Sequence, residues 1–347
     1  MKLLKHITLA ALCAVSAISY ASAPDFSLGA DISGVSYLEA GGQKFLDAKG
    51  KERDLYDLMK DYGINGVRLR VWVDPEDGFC SPEDVLGMAL RAKEKGLPVM
   101  VDFHYSDWWA DPGKQNVPAR WKNMNLDQMQ GALVEHTAST LQMLKNHDID
   151  VPWVQVGNET TNGMLWDMAS LPQQTRNYAQ LTQAGYDAVK SVYPDAQVIV
   201  HLDNGWDEEL YNRVFDGLKR NGAKWDMIGM SLYPFWSMQA GQVKSEKELA
   251  DRAVKNIRDL KKKYGTDIMV VEVGVEANDP EPGKAFLSDL IERLQTETDG
   301  ACRGVWYWAP EADGVLDGYK LGAFRNRKPT VIMDAFREAA AKMKKKS

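Results

Sequence analysis

The chain has 347 residues, 44% of them hydrophobic, with 49 acidic side chains against 42 basic ones, a net charge of −7 and a pI near 5.4. Its basic residues are scattered, which argues against a nucleic-acid partner, since that calls for a basic face. No Cys-x-x-Cys, His-Glu-x-x-His, Gly-x-Ser-x-Gly or Gly-x-Gly-x-x-Gly occurs, so zinc, serine-hydrolase and dinucleotide chemistry have no motif to rest on, and neither a metal nor a cofactor is expected.

Lys2 and Lys5 precede an apolar stretch from Ile7 to Ile18, followed by small residues from Ser19 to Ala23. That layout predicts a secretory signal peptide over residues 1–21, with cleavage as late as 23, because the apolar run is too short for a spanning helix. The remaining chain, 24–347, is expected to be one exported domain without a membrane span and a monomer. Periplasm, cell surface and exterior stay open.

Apolar runs of strand length then recur: LGADIS (28–33), GVRLRVW (66–72), PVMVDFHY (98–105), WVQVGNE (153–159), QVIVHLD (197–203), DMIGMSLY (226–233), DIMVVEVG (267–274) and CRGVWYW (302–308). Helical patterns lie between them. SPEDVLGMALRAKEKG carries Ser81 as cap, Pro82 at the first helical position, Asp84 where a capping box takes an acid, and Gly96 as the stop. SEKELADRAVKNIRDLKKKYG repeats the design with Ser245, Glu248 and Gly265. The run Lys344–Lys346 complements the dipole at the end of the last helix. Eight strands alternating with helices at this length predict a single (β/α)8 TIM barrel. Cys80 follows the top of one strand and Cys302 begins another at the bottom, so the two are not expected to pair.

Nearly every strand ends on a polar or aromatic group: Asp31, Arg68 and Arg70, His104, Asn158 and Glu159, His201 and Asp203, Tyr233, Glu272, Trp308. In this architecture the strand C-termini form the active-site face, so these groups converge on one cleft. Glu159 and Glu272 end the fourth and seventh strands. Two carboxylates across a cleft are the equipment for glycosidic-bond cleavage, one protonated to assist the leaving oxygen and the other attacking or activating water. Asn158 can hydrogen-bond a sugar 2-hydroxyl. Arg68, a cation in an apolar strand, needs a partner, and Glu272 kept ionised is the expected one. The plainer alternative is a set of barrel-rim salt bridges. Trp72, Trp108, Trp109, Trp206, Trp236 and Trp308 lie at or past strand ends, where they can stack on sugar faces, whereas Trp153, Trp225 and Trp306 read as core and Trp121 and Trp166 fit either place. For His104 and His201 contact with substrate is expected.

At HYSDWWADPGKQNVP (104–118), with GVRLRVWVDPEDG, VQVGNET, HLDNGWD and SLYPFW around it, the chain resembles the arabinogalactan endo-β-1,4-galactanases of glycoside hydrolase family 53, retaining (β/α)8 enzymes. The resemblance runs from about Gly29 to Pro310. It implies that Glu159 is the acid/base and Glu272 the nucleophile. Arg68, His104, Asn158, Tyr233 and Trp308 match supporting positions, with Tyr233 contacting the nucleophile and Trp308 flooring the sugar site on the non-reducing side of the cut; Trp108 falls inside the HYSDWWADP block. Asp31, Asp111, His201 and Asp203 match further family positions. The implied partner is β-1,4-galactan, in the side chains of pectin. Two departures stand out. Strand eight continues Trp308-Ala309-Pro310-Glu311 where the family has Trp-Glu-Pro, and the short loop after strand seven, VEANDPEPGKAF, lacks the calcium series of some bacterial members, so no such site is expected and the cleft is expected to be more open there. A mannanase or glucanase of the same clan, or a non-catalytic galactan-binding barrel, are the alternative readings.

Overall fold

The computed structural model describes residues 25–345 apart from 315 and 317, so the expected signal peptide lies outside the described residues. Eight parallel strands close into a barrel in sequential order: β1 (Ser27–Asp31), β2 (Gly66–Val71), β3 (Val99–Phe103), β4 (Trp153–Val156), β5 (Gln197–Leu202), β6 (Met227–Leu232), β7 (Asp267–Val273) and β8 (Cys302–Trp308), with β8 paired back to β1. The helices that return the chain are α1 (Leu55–Asp61), α2 (Pro82–Glu94), α3 (Leu126–Asn146), α4 (Thr175–Val192), α5 (Glu208–Arg220), α6 (Glu246–Tyr264), α7 (Pro280–Thr296) and α8 (Asp334–Lys344). The single TIM barrel expected from the alternation is the fold. Among the described residues no helix is long and apolar enough to cross a membrane.

Each strand alternates sides with period two, and the two sides differ in chemistry. Outward residues such as Val67, Leu69, Val101, Phe103, Val198 and Val200 pack against the helices. Inward residues form two layers. The lower is apolar: Met100, Trp153, Ile199, Met227, Met269, Val271 and Trp306. The upper is polar and equally buried: Asp31, Arg68, Asp102, Gln155, His201 and Ser231. Trp306 is large enough to fill the barrel bottom only because β1 has no side chain opposite it, for a Cβ on Gly29 would lie 2.0 Å from the indole. A packed floor therefore carries a polar ceiling, and the ceiling is the candidate site.

The helix caps fall where the sequence places them, with one difference. Ser81 accepts from Asp84 N at 3.2 Å and Ser245 from Glu248 N at 3.1 Å. The two acids do not close a box on the cap residue itself. Asp84 Oδ2 takes the N–H of Cys80, and Glu248 Oε2 that of Lys244, so each acid ties down the chain just before the helix. On α6 the buried set Leu249, Ala250, Ala253, Val254, Ile257 and Leu260 has helical spacing and seats this helix on the barrel. Cys80 and Cys302 are both buried and both free thiols.

Strand β7 departs from regular pairing. Between Val270 and Val273 it has one residue more than either neighbour: the same span pairs with Met230–Leu232 on β6 and with Val305–Tyr307 on β8. This bulge breaks the alternation, so that Glu272, next to the inward Val271, also faces the barrel interior.

Candidate active site

Arg68 is the centre of the polar layer. Its guanidinium, fully buried, donates from Nη1 to Asp31 at 2.6 Å, from Nε to Gln155 Oε1 at 2.6 Å and from Nη2 to Asn158 Oδ1 at 2.9 Å. The same Nη2 lies 2.9 Å from Asp102 and 2.9 Å from Glu272 Oε1. A cation so placed stays charged: burial opposes it, but the surrounding carboxylates outweigh burial. The sequence left Arg68 in want of a partner, and Glu272 is one of three acids it serves.

Glu272 receives a second donor, the Tyr233 hydroxyl, at 2.8 Å on Oε2. Burial raises its pKa to about 7, against the pull of Arg68, with Asp102 adding to the rise and Tyr233 opposing it. Among the described residues no cation pairs with Glu159. Ser231 donates to its Oε1 at 2.6 Å, and burial first, then the charges of Glu272 and Asp203, push its pKa well above the usual carboxylate range. Of the two, Glu272 has the guanidinium that stabilises its anion, and Glu159 is the one that burial and neighbouring charge push towards the protonated form. Glu159 also has a left-handed backbone, φ +44°, just after Gly157 at φ +88°. A non-glycine residue held there costs about 1–3 kcal/mol, and such outliers persist where a side chain must be aimed.

The histidines sit behind these groups. His104 lines the cleft; its Nε2 is 3.0 Å from Asp102 and its Nδ1 accepts the Ala110 N–H at 3.0 Å. Burial lowers its pKa, with Asp102 opposing. His201, for which substrate contact was expected, is fully enclosed: Nε2 meets Ser231 Oγ at 2.8 Å and Nδ1 lies 3.0 Å from the Gln155 amide. It reaches the cleft through Ser231, the Glu159 backbone and Asn158, whose Oδ1 lies 3.0 Å from His201 Nδ1, because the polar layer has a second tier beneath the surface one.

A cleft of about 1010 Å³ lies over this layer, lined by His104, Asn158, Glu159, Ser231, Tyr233 and Glu272, with aromatic walls from Trp109, Phe235, Trp236 and Trp308. Of the other tryptophans read as sugar platforms, Trp206 is buried, its N–H on Ser237 and its face covered by Arg252 at 4.3 Å. Trp72 is buried under Trp108, with ring centroids 4.6 Å apart. Trp108 remains 46% exposed, and Trp109 is the member of the pair that lines the cleft. Arg70 lies behind the wall, its guanidinium 3.8 Å from the Trp109 ring and 3.3 Å from Cys80 Sγ. Asp111 is on the rim, paired with Lys114 at 3.3 Å. Asp203 borders the cleft and accepts from the Thr161 hydroxyl. Trp153, Trp306 and Trp121 are core, and Trp225 is half-buried. The opening beyond the short loop after β7 is walled instead by the loop after β8, through Leu316 and Tyr319–Leu321.

Sequence reasoning did not name Asp102, Gln155, Ser231 or Tyr319 as site residues. Asp102 and Ser231 were within reach, since they stand two positions before His104 and Tyr233 on the same strand face. Gln155 lies mid-strand, where one polar residue in WVQV gives no warning. Tyr319 sits in a loop with no periodicity to read.

The profile described as "Glycosyl hydrolase family 53" matches residues 27–334. A protein of Neosartorya fischeri described as a probable arabinogalactan endo-beta-1,4-galactanase A is 32% identical over 315 residues, 84% of this chain and 86% of that one. Among solved structures, a fungal beta-1,4-galactanase superposes with a TM-score of 0.81 at 25% identity, over 90% of this chain and 99% of its own. The family 53 catalytic domain of Ignisphaera aggregans gives 0.80 at 30% identity, over 92% and 98%. The chain belongs to glycosyl hydrolase family 53 and is a glycoside hydrolase built on a (β/α)8 barrel.

Proposed function

We propose that the protein is an endo-β-1,4-galactanase that cleaves the galactan side chains of pectin with retention of configuration. The observation that carries this is the contrast between two glutamates in one cleft: Glu272 beside Arg68 and Tyr233, Glu159 beside a lone hydroxyl and a second negative charge. Support for the substrate comes from the relatives, described as a probable arabinogalactan endo-beta-1,4-galactanase and a fungal beta-1,4-galactanase.

In the first step a Glu272 oxygen bonds to the anomeric carbon as the glycosidic C–O bond breaks, and the Glu159 proton passes to the departing oxygen. Arg68, 2.9 Å from Glu272 Oε1, stabilises the carboxylate before the ester forms and again as the carboxylate departs. In the second step a water attacks that carbon, Glu159 takes the water's proton, and Glu272 leaves as the anion. Asn158 spends Oδ1 on Arg68 and one amide hydrogen on Ala110 O at 2.8 Å, which leaves the other hydrogen for a sugar 2-hydroxyl. Trp308 supplies the face on which the ring rests. The leader-like N-terminal segment supports export, and a monomer suffices for a cleft built from one chain.

Incubation with linear β-1,4-galactan, β-mannan and β-glucan tests the reading. New reducing ends are expected on galactan as mixed oligomers, with the β-anomer formed first by proton NMR, and none from Glu272→Ala. Cleavage of mannan or glucan alone would move the protein to another specificity of this fold, and first formation of the α-anomer would remove the ester step.

A further inference from the structure

The loop after β8 delivers one group that neither the mechanism nor the family motif uses. Tyr319 lines the cleft beside Tyr233, Glu272 and Trp308, and its ring stands edge-on against Trp308 with centroids 4.6 Å apart and planes at 79°. Its hydroxyl oxygen is buried at the cleft wall and has no partner in hydrogen-bonding geometry. The Tyr233 hydroxyl is close enough to act on it, but Tyr233 gives its own proton to Glu272, so Tyr319 receives no donor from it. The oxygen sits over the backbone of Gly274, where a Cβ would come within 2.3 Å of it, so glycine at that position makes the room.

The placement is held firmly. Leu321 O accepts from the buried Tyr307 hydroxyl at 2.8 Å, which also takes the Val275 N–H at 3.2 Å. Ala277 N donates to Lys320 O at 3.3 Å, and Tyr319 N to Leu316 O at 2.8 Å. The loops after β7 and β8 are thereby pinned together just after Tyr319, and the β8 loop bonds to itself just before it. A buried O–H left unsatisfied costs about 1–3 kcal/mol. A rigid frame that keeps one beside the reacting carboxylates is a polar group waiting for a partner that the free protein lacks.

We propose that Tyr319 is a specificity residue whose hydroxyl binds a hydroxyl of the sugar ring resting on Trp308. This rests on the glycosidase reading of the cleft and adds a contact to it. The ring of Tyr319 fixes Trp308 from the side while its oxygen reaches a polar atom of the same sugar. A site that hydrogen-bonds a substrate hydroxyl also discriminates against an analogue lacking it, because its own group is then left unpaired.

Tyr319→Phe keeps the ring and removes only the oxygen. Its kcat/KM on the polysaccharide that the wild type cleaves is expected to fall about tenfold, the worth of one neutral hydrogen bond, while the Tm of the free protein stays level or rises. A fall in Tm with unchanged kcat/KM would overturn the proposal, since the hydroxyl would then be satisfied within the protein, by Tyr233. Unchanged values of both would overturn it as well. Tyr319→Ala, losing the support of Trp308 too, is expected to lose more activity than Tyr319→Phe. Because the variants are compared on whichever polysaccharide the wild type cleaves, a failure of the galactan assignment shows separately, in the wild type.

Discussion

At the scale of single residues, the proposed chemistry depends on keeping two buried carboxylates apart in proton affinity. Glu272 has Arg68 and Tyr233; Glu159 has Ser231. Activity should need Glu272 ionised and Glu159 protonated, which gives a bell-shaped profile whose limbs belong to the pair. Tyr233→Phe removes a donor from the Glu272 anion, so its pKa rises and the acidic limb moves to higher pH by about one unit, the worth of a hydrogen bond to a charged group. Ser231→Ala removes a donor from the Glu159 anion, so the alkaline limb moves up instead. Profiles of kcat/KM against pH check both, and a shift of the other limb in either variant would reverse the assignment of acid and nucleophile. Arg68→Met strands three carboxylates in the barrel, and a loss of about 3–5 kcal/mol in stability is expected in urea titrations.

At the scale of elements, each strand is two chemistries on alternating positions: a face that packs on helices and a face that is apolar below and polar above. Gly29 on β1 is there for Trp306 on β8. Gly29→Ala should lower Tm by overpacking worth about 1–3 kcal/mol, and Trp306→Leu in the same chain should recover part of it, since the two sites share one space. Additive losses in thermal denaturation would show that they do not. The helices, by contrast, were readable in outline from capping residues and spacing, and so were the eight strands, because apolar periodicity records burial directly. Gln155 and Tyr319 were not readable. One is a lone polar residue in a strand, the other a loop tyrosine, and neither position has a pattern that separates function from chance.

At the scale of the molecule, buried ionisable groups make stability depend on pH in both directions. His136, held down to about 4 by burial, stays neutral in the fold while its unfolded counterpart takes a proton below about 6.5. The unfolded state then binds more protons, and stability falls as pH drops from about 6.5 towards 4. Glu311, fully buried with neither carboxylate oxygen partnered, is raised to about 8 by burial. Between about 4.3, its unfolded value, and 8 the folded state holds the extra proton, so stability falls as pH rises through that window. Glu311→Gln removes this second loss. Its Tm should exceed that of the wild type by about 5 °C at pH 8 and match it near pH 4; an equal difference at both pH values would mean that Glu311 acts by packing rather than by its proton.

The sequence by itself determined the barrel and marked the strand C-termini, with Glu159 and Glu272 among them, as the candidate site, because strand length, period and strand-end polarity are local properties that survive without coordinates. Only the tertiary structure decided which groups meet. One guanidinium gathers Asp31, Asp102 and Glu272 from three strands, and His201 works from a tier below the cleft. An extra residue in β7 turns Glu272 inward against the alternation that its own sequence would dictate. These are questions of register and of closure, set by pairing between segments far apart in the chain, and no single segment contains them.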